Sequence, residues 1–295
     1  MTRAEEYAAK IKQLIANAQK LSPEAVAAIE KLLEQANVEV LGKLATLDPG
    51  SYSSAQLNNL KRDIARAMEV FRVKATQTVN DMQASAYTMA ANDISIAVGA
   101  WLGTTASYAA LNLNTLRIAQ AYTADLVSGL SAEATTKLNA VLQRAFLGGQ
   151  TLPEIIAQVG KAISGDKFSG IFDEIGDRAF KVATNEIMRV HSIAGQARMK
   201  DLATRNSKIK KQWVHLPAAR VPRITHLLAD GQIVGVDEPF TVGIEQLMFP
   251  RDPNGSASNT INCHCISIPY IDDEDLYATA EDRATLEAVG LKMAA

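Results

Sequence analysis

Apolar residues recur along most of this chain at steps of three and four, the spacing that places them on one face of a helix. Ile29, Leu32, Leu33, Ala36 and Val40 form one such stripe, and Leu57, Leu60, Ile64, Met68, Phe71, Ala75 and Val79 form a longer one. Leu21-Ser22-Pro23-Glu24 reads as a helix start. Ser22 is suited to capping, Pro23 to the first helical position and Glu24 to the positive end of the helix dipole. Asp48-Pro49-Gly50 reads as the stop, and a second helix is expected from about Ser54 towards Ala91. The stretch from Gly99 to Val127 is again helical but apolar on more sides. Ser131 reads as the opening of a helix that closes at Gly148-Gly149, and Thr151-Leu152-Pro153-Glu154 is a capping box before a short helix. A loop, SGDKFSG, then leads to a long helix over roughly Asp173 to Asn206.

The period changes at Lys211. KQWVHL alternates and predicts a strand, Pro222 to Ala229 one or two helical turns, and QIVGV a second strand. DEPFTVG and MFPRDPNGSASN are rich in turn residues, and TINCHCISI predicts a last strand closed by Pro269. The expected fold is mainly α, a long N-terminal helical region followed by a small α+β domain near the C-terminus. The boundaries drawn are an N-terminal helical region at 1–130, a helical connector at 131–206, the small domain at 207–270 and an acidic tail at 271–295.

Composition supports packed helices: 47% of the residues are hydrophobic, 21% charged and only 5% aromatic. A net charge of −2 names no partner, but Arg198, Lys200, Arg205, Lys208, Lys210 and Lys211 lie close together in the chain. They are the candidate contact for DNA or an acidic partner surface; a solvated helix end is the alternative. Met1 leads directly into a charged amphipathic segment, so no secretory leader is expected. The uncharged run from Ile94 to Leu116 has the length of a membrane span but carries Ser, Thr, Asn and two glycines. It reads as a buried helix or helix pair, without stable membrane insertion.

Both cysteines of the chain stand in Asn259–Tyr270, NTINCHCISIPY, with a histidine between them. On an extended strand Cys263 and Cys265 share a face and His264 opposes them. A metal site there would use His226, Cys263 and Cys265, completed from His215 or Asp230, with zinc the ion those donors suit. A disulfide across two residues would be strained, and a catalytic thiol needs a base, for which His226 is the candidate. Two small soft residues packed under a sheet are the plain alternative. No phosphate-binding glycine loop, HExxH or GxSxG occurs, so no enzyme signature is present.

The order of the pieces is more specific than any one of them. RAFKVATNEIMRVHSIAGQARM leads to KQWVHL, then RITHLLADGQIV, EPFTVG, FPRDP and NTINCHC. This succession resembles the Mu F-like head morphogenesis family, the minor capsid proteins of tailed phages, over roughly 130–270. Arg223, His226, Asp230, Gly231, Pro250, Asn262, Cys263 and Cys265 match the family's positions. The chain departs from the pattern at Pro217-Ala218-Ala219, where an acidic residue is usual, at Ala183-Thr184-Asn185-Glu186, which lacks the usual arginine, and at His264, where arginine is usual. The resemblance implies a virion protein without enzymatic activity, held inside the capsid at the portal vertex after assembly in the host cytoplasm. Its implied partners are the portal protein, in several copies around the ring, and packaged double-stranded DNA, scaffolding or major capsid protein. The implied roles are head assembly and genome packaging or ejection. Some relatives are fused to ADP-ribosyltransferase-like domains. The alternative is therefore a virion-delivered enzyme, metal-dependent or ADP-ribosyltransferase-like, with Arg223, His226 and Glu245 as its polar set.

Overall fold

The computed structural model describes residues 1–47, 52–104, 111–163, 167–216 and 222–292. Long helices come first: α1 (Arg3–Leu44), α2 (Ser54–Leu102), α3 (Asn114–Gly148) and the short α4 (Leu152–Val159). A two-residue hairpin, β1 (Ala162–Ile163) with β2 (Lys167–Phe168), leads into α5 (Gly170–Ala203). The mixed region holds β3 (Ile209–Val214), α6 (Ile224–Ala229), β4 (Ile233–Gly235), β5 (Phe240–Val242), β6 (Glu245–Leu247), α7 (Ala257–Thr260) and β7 (Ile266–Ile271). A 3-10 turn at Glu274–Tyr277 and α8 (Ala280–Glu287) follow. The fold is mainly α with a small α+β domain near the C-terminus, as the periodicities predict.

Packing divides the chain into two compact units. One comprises Pro23–Met82 and Ile118–Thr184 and is a helical bundle. The predicted stripes enter its core: Ile29, Leu33, Ala36 and Val40 of α1, and Leu60, Ile64, Met68, Phe71, Ala75 and Val79 of α2, are all buried, together with Leu138 and Leu142 of α3 and Phe172 and Ile175 of α5. Burying each large aliphatic or aromatic side chain among them contributes about 1.5–3 kcal/mol relative to exposure. The other unit comprises Met1–Ser22, Gln83–Arg117 and Asn185–Ala295 and contains the small domain. The boundary drawn at 130 falls inside α3, and the helical segments serve both units.

Three local signals read differently in the fold. Pro23 does not open a helix; it lies inside α1, where it costs one backbone hydrogen bond. Ser131 does not cap; α3 runs through it and its hydroxyl donates to the carbonyl of Met68 at 2.9 Å. Pro269 does not close the last strand, because β7 continues to Ile271. β3 is the centre of an antiparallel sheet ordered β4-β3-β7, so β7 has one free edge. The carbonyl of Pro269 accepts from the Tyr7 hydroxyl at 2.6 Å, so its backbone faces away from β3. A residue's N–H and C=O point to the same side of an antiparallel strand, and the missing N–H therefore breaks no ladder bond.

The C-terminal segment packs as part of the fold rather than as a tail. Leu276, Tyr277, Leu286 and Leu291 are buried, and Gln212 of β3 bonds both the Gly290 carbonyl, at 2.6 Å, and the Lys292 amide, at 3.0 Å. The uncharged run 94–116 is not one helix: α2 ends at Leu102, Gly103 takes φ +66°, and α3 begins at Asn114. Among the described residues no helix is long and apolar enough to cross a membrane. The readings of Asp48-Pro49-Gly50, of the tip of SGDKFSG and of Pro217-Ala218-Ala219 fall outside the described residues.

Candidate metal centre

The cysteine stretch is not a strand. After α7 the chain turns at Asn262, whose φ of +54° is in the left-handed region that asparagine tolerates, and β7 begins only at Ile266. The Asn262 amide donates to Asn185 Oδ1 of α5 at 2.8 Å, which pins this turn. Cys263 and Cys265 then point inward from one side of the segment, while His264 is partly buried on its own. α6 brings His226 to them. Its Nδ1 lies 3.6 Å from Cys263 Sγ and 3.4 Å from Cys265 Sγ. His215, just past the end of β3, sets its Nδ1 3.5 Å from Cys265 Sγ. The donor atoms of His226, Cys263 and Cys265 lie within 4.8 Å of one another, all three residues are buried, and the group could hold a metal ion.

The surroundings hold these side chains in place. Trp213 of β3 meets the His226 ring edge-on at 5.8 Å and Phe240 at 5.3 Å, and Ala229, Val242 and Leu247 complete an apolar shell around the cysteines. Arg223 precedes α6 and donates to the Ile261 carbonyl at 2.5 Å. Asp230 ends α6 and accepts the His215 amide at 2.8 Å. Gly231 turns with φ +82°, and a Cβ there would meet the Lys292 side chain at 2.1 Å. Pro250 is buried in the loop before Arg251. Arg223, His226, Asp230, Gly231, Asn262, Cys263 and Cys265 thus each make a hydrogen bond or a close contact in this domain, and Pro250 is buried.

Arg251 is the residue that the sequence reading passed over. It is fully buried, with φ +67°, and its guanidinium donates to the carbonyls of Cys265, at 3.0 Å, and of Cys263. Only its place in the turn-rich FPRDP run signalled a special backbone. Beside the guanidinium stand the two cysteines: the Cys265 thiol hydrogen-bonds Cys263, and with Arg251 and His226 nearby this lowers the Cys263 pKa against the opposing effect of burial. The partner thiol, Cys265, is pushed up by that hydrogen bond and by burial. Burial and the Arg251 charge likewise lower the pKa of His191 on α5 to about 4. Both sulfurs are buried, and the far nitrogen of His226 has no hydrogen-bond partner among the described residues.

The six basic residues do not form an open patch. Lys211 is fully buried, donating to the Met248 carbonyl at 2.7 Å and to Gln196 Oε1 at 3.2 Å, and burial lowers its pKa to about 8. Its position two residues before Trp213 on β3 turns both side chains to the same face of the sheet. Arg198, also buried, pairs with Asp201 at 3.0 Å, and Arg205 reaches the same carboxylate at 3.8 Å. Lys200 pairs with Asp237 at 2.6 Å, Lys208 with Asp273 at 2.6 Å and Lys210 with Asp272 at 2.7 Å. The acidic run after β7 therefore pairs with Lys208 and Lys210 of the basic run, a relation that sequence distance hid. Glu245, proposed for a catalytic set, instead accepts from the Ser256 amide and hydroxyl at 2.9 and 2.5 Å at the start of α7.

Comparison with known proteins reaches only parts of the chain. YqbB of Bacillus subtilis (strain 168), an uncharacterized protein, is 32% identical over 110 residues, 36% of this chain and 36% of YqbB. The NAD(+)–arginine ADP-ribosyltransferase EFV of Enterococcus faecalis (strain ATCC 700802 / V583) is 33% identical over 95 residues, 32% of this chain and 19% of that protein. The chain thus spans about a third or less of the curated relatives it matches. No family model matches it, and no solved structure matches it.

Proposed function

We propose that this protein is a minor head protein of a tailed phage, of the Mu F-like kind, bound to the portal inside the head and acting in assembly and in genome packaging or ejection. The observation that carries the reading is the convergence of the signature. Arg223, His226, Asp230, Gly231, Pro250, Asn262, Cys263 and Cys265 meet in one small domain, where each holds backbone or packs. That is the behaviour of a structural module, and its cluster suits zinc as a structural ion. The 95 residues shared with a much longer ADP-ribosyltransferase fit a module carried on chains with different further domains.

The enzymatic alternative has that relative in its favour but lacks a gathered polar set. His226 is buried, and Arg223 and Glu245 are engaged with the Ile261 carbonyl and Ser256.

The contact face for the portal partner is assigned to α6 as part of the proposal. α6 turns Ile224 and Leu228 outward, at 74% and 78% exposure, and Ile244 of the β5–β6 turn is fully exposed. Aliphatic surface of this kind marks protein contacts. Co-expression with the cognate portal protein, followed by mass measurement of the complex, is expected to give a fixed number of copies per ring. The double variant Ile224→Asp, Leu228→Asp is expected to keep the fold and lose the complex. Failure of the native chain to associate with an intact ring would overturn the reading and move weight to the enzymatic one.

A further inference from the structure

We infer that His215 is the fourth ligand of a closed, tetrahedral Cys2His2 zinc site with His226, Cys263 and Cys265. The inference rests on the zinc reading of the three buried residues and extends it from an open to a completed coordination shell.

The geometry carries it. Zinc holds sulfur at about 2.3 Å and imidazole nitrogen at about 2.0–2.1 Å, and the tetrahedral angle then places S and N about 3.5 Å apart. Three of the four sulfur–nitrogen edges of such a site measure 3.6, 3.4 and 3.5 Å, for Cys263–His226, Cys265–His226 and Cys265–His215, and His215, outside the compact group of the other three, has to close on Cys263 when the ion binds. Cys265 Sγ thus faces two imidazoles at the edge length of such a tetrahedron, and both present the same nitrogen, Nδ1. Asp230, the other sequence candidate for the second pair, is otherwise engaged. One oxygen accepts the His215 amide at 2.8 Å and the other meets Lys292 at 3.0 Å. Asp230 therefore positions His215 instead of replacing it.

The remaining shell suits a metal. Arg251 donates to the carbonyls of both cysteines, so the two sulfurs are presented from a braced segment, and outer-shell donors of this kind commonly hold ligands in place. Binding would require both cysteines as thiolates and both imidazoles neutral, so that the ion and its four ligands together carry no net charge. With four protein ligands there is no open position for water, so the site is structural, not hydrolytic. It would join the end of β3, the middle of α6 and the turn before β7, three segments distant in sequence.

The test uses the full chain, reduced, stripped by chelator and titrated with Zn2+ alone and with Co2+ alone. One ion per chain is expected, with the intense visible bands of tetrahedral cobalt and a thiolate charge-transfer band. His215→Ala is expected to weaken zinc at least about 100-fold, beyond the usual outer-shell effect, and to weaken the cobalt bands. His264→Ala should leave both unchanged. X-ray absorption of the zinc-loaded native chain decides independently of any variant's folding: two sulfurs with two imidazoles are expected. One imidazole with an oxygen, or a His215→Ala protein that binds as tightly as the native chain, would overturn the fourth ligand while the three-residue site stands. No stoichiometric zinc in the native chain would overturn both.

Discussion

Single side chains in the small domain are held by burial more than by surface charge. The lysine–aspartate pairs at the surface are each worth at most about 1 kcal/mol and weaken in salt. His191 is different. It is buried on α5, its Nε2 has no partner among the described residues, and its pKa falls from 6.5 to about 4. The folded chain therefore holds it neutral, while the unfolded chain lets it charge. Its contribution is complete above pH 6.5 and is lost as pH falls from there towards 4, amounting to about 3 kcal/mol at the acid end. Urea unfolding of the native chain and His191→Gln at pH 7 and pH 4.5 measures this. Both lose stability as carboxylates protonate, but the variant is expected to lose roughly 2–3 kcal/mol less. Equal losses would show that His191 is not held neutral.

Elements show how far local signals reach. The stripes on α1 and α2 were legible because burial of one helix face leaves a direct imprint on sequence, and nearly every residue they named is in the core. The sheet was legible at β3 and β4 from alternation. Pro23, Ser131 and Pro269 were not, because the same residue can punctuate a chain or sit inside an element when packing over many turns outweighs it. The candidate site was legible as residue types but not as geometry: that Asn262 turns and brings both cysteines to His226 depends on Asn185, 77 residues away in sequence. Lys208 likewise depends on Asp273, 65 residues away, and Arg251 on the cysteine carbonyls 12 and 14 residues further on. Pro23 offers a test at this scale. Within α1 its ring removes one backbone bond and crowds the preceding turn, at a cost of up to about 3 kcal/mol. Pro23→Ala is expected to raise stability by about 1–3 kcal/mol in thermal unfolding. A loss of stability would mean that the packing requires the bend proline imposes.

For the whole molecule, the proposed zinc centre would make the two compact units unequal. All four proposed ligands and their braces, Arg251, Asp230 and Asn185, belong to the unit that contains Asn185–Ala295. The unit of Pro23–Met82 and Ile118–Thr184 contains none of them, and its core is apolar packing between its elements. An ion that binds only the folded site stabilises by RT ln(1 + [Zn]/Kd), about 4 kcal/mol at a thousandfold excess over Kd. Hydrogen exchange by mass spectrometry, with and without one equivalent of zinc, is the matching measurement. Slower exchange is expected in β3, α6, the turn at Asn262 and β7, while α3 and α4 stay unchanged. Uniform protection across both units would mean that they open together, so that the metal stabilises the whole chain. Protection in neither would mean that the cluster folds fully without its ion, leaving the thiol–imidazole contacts and Arg251 as the whole of what holds the Cys263–Cys265 segment.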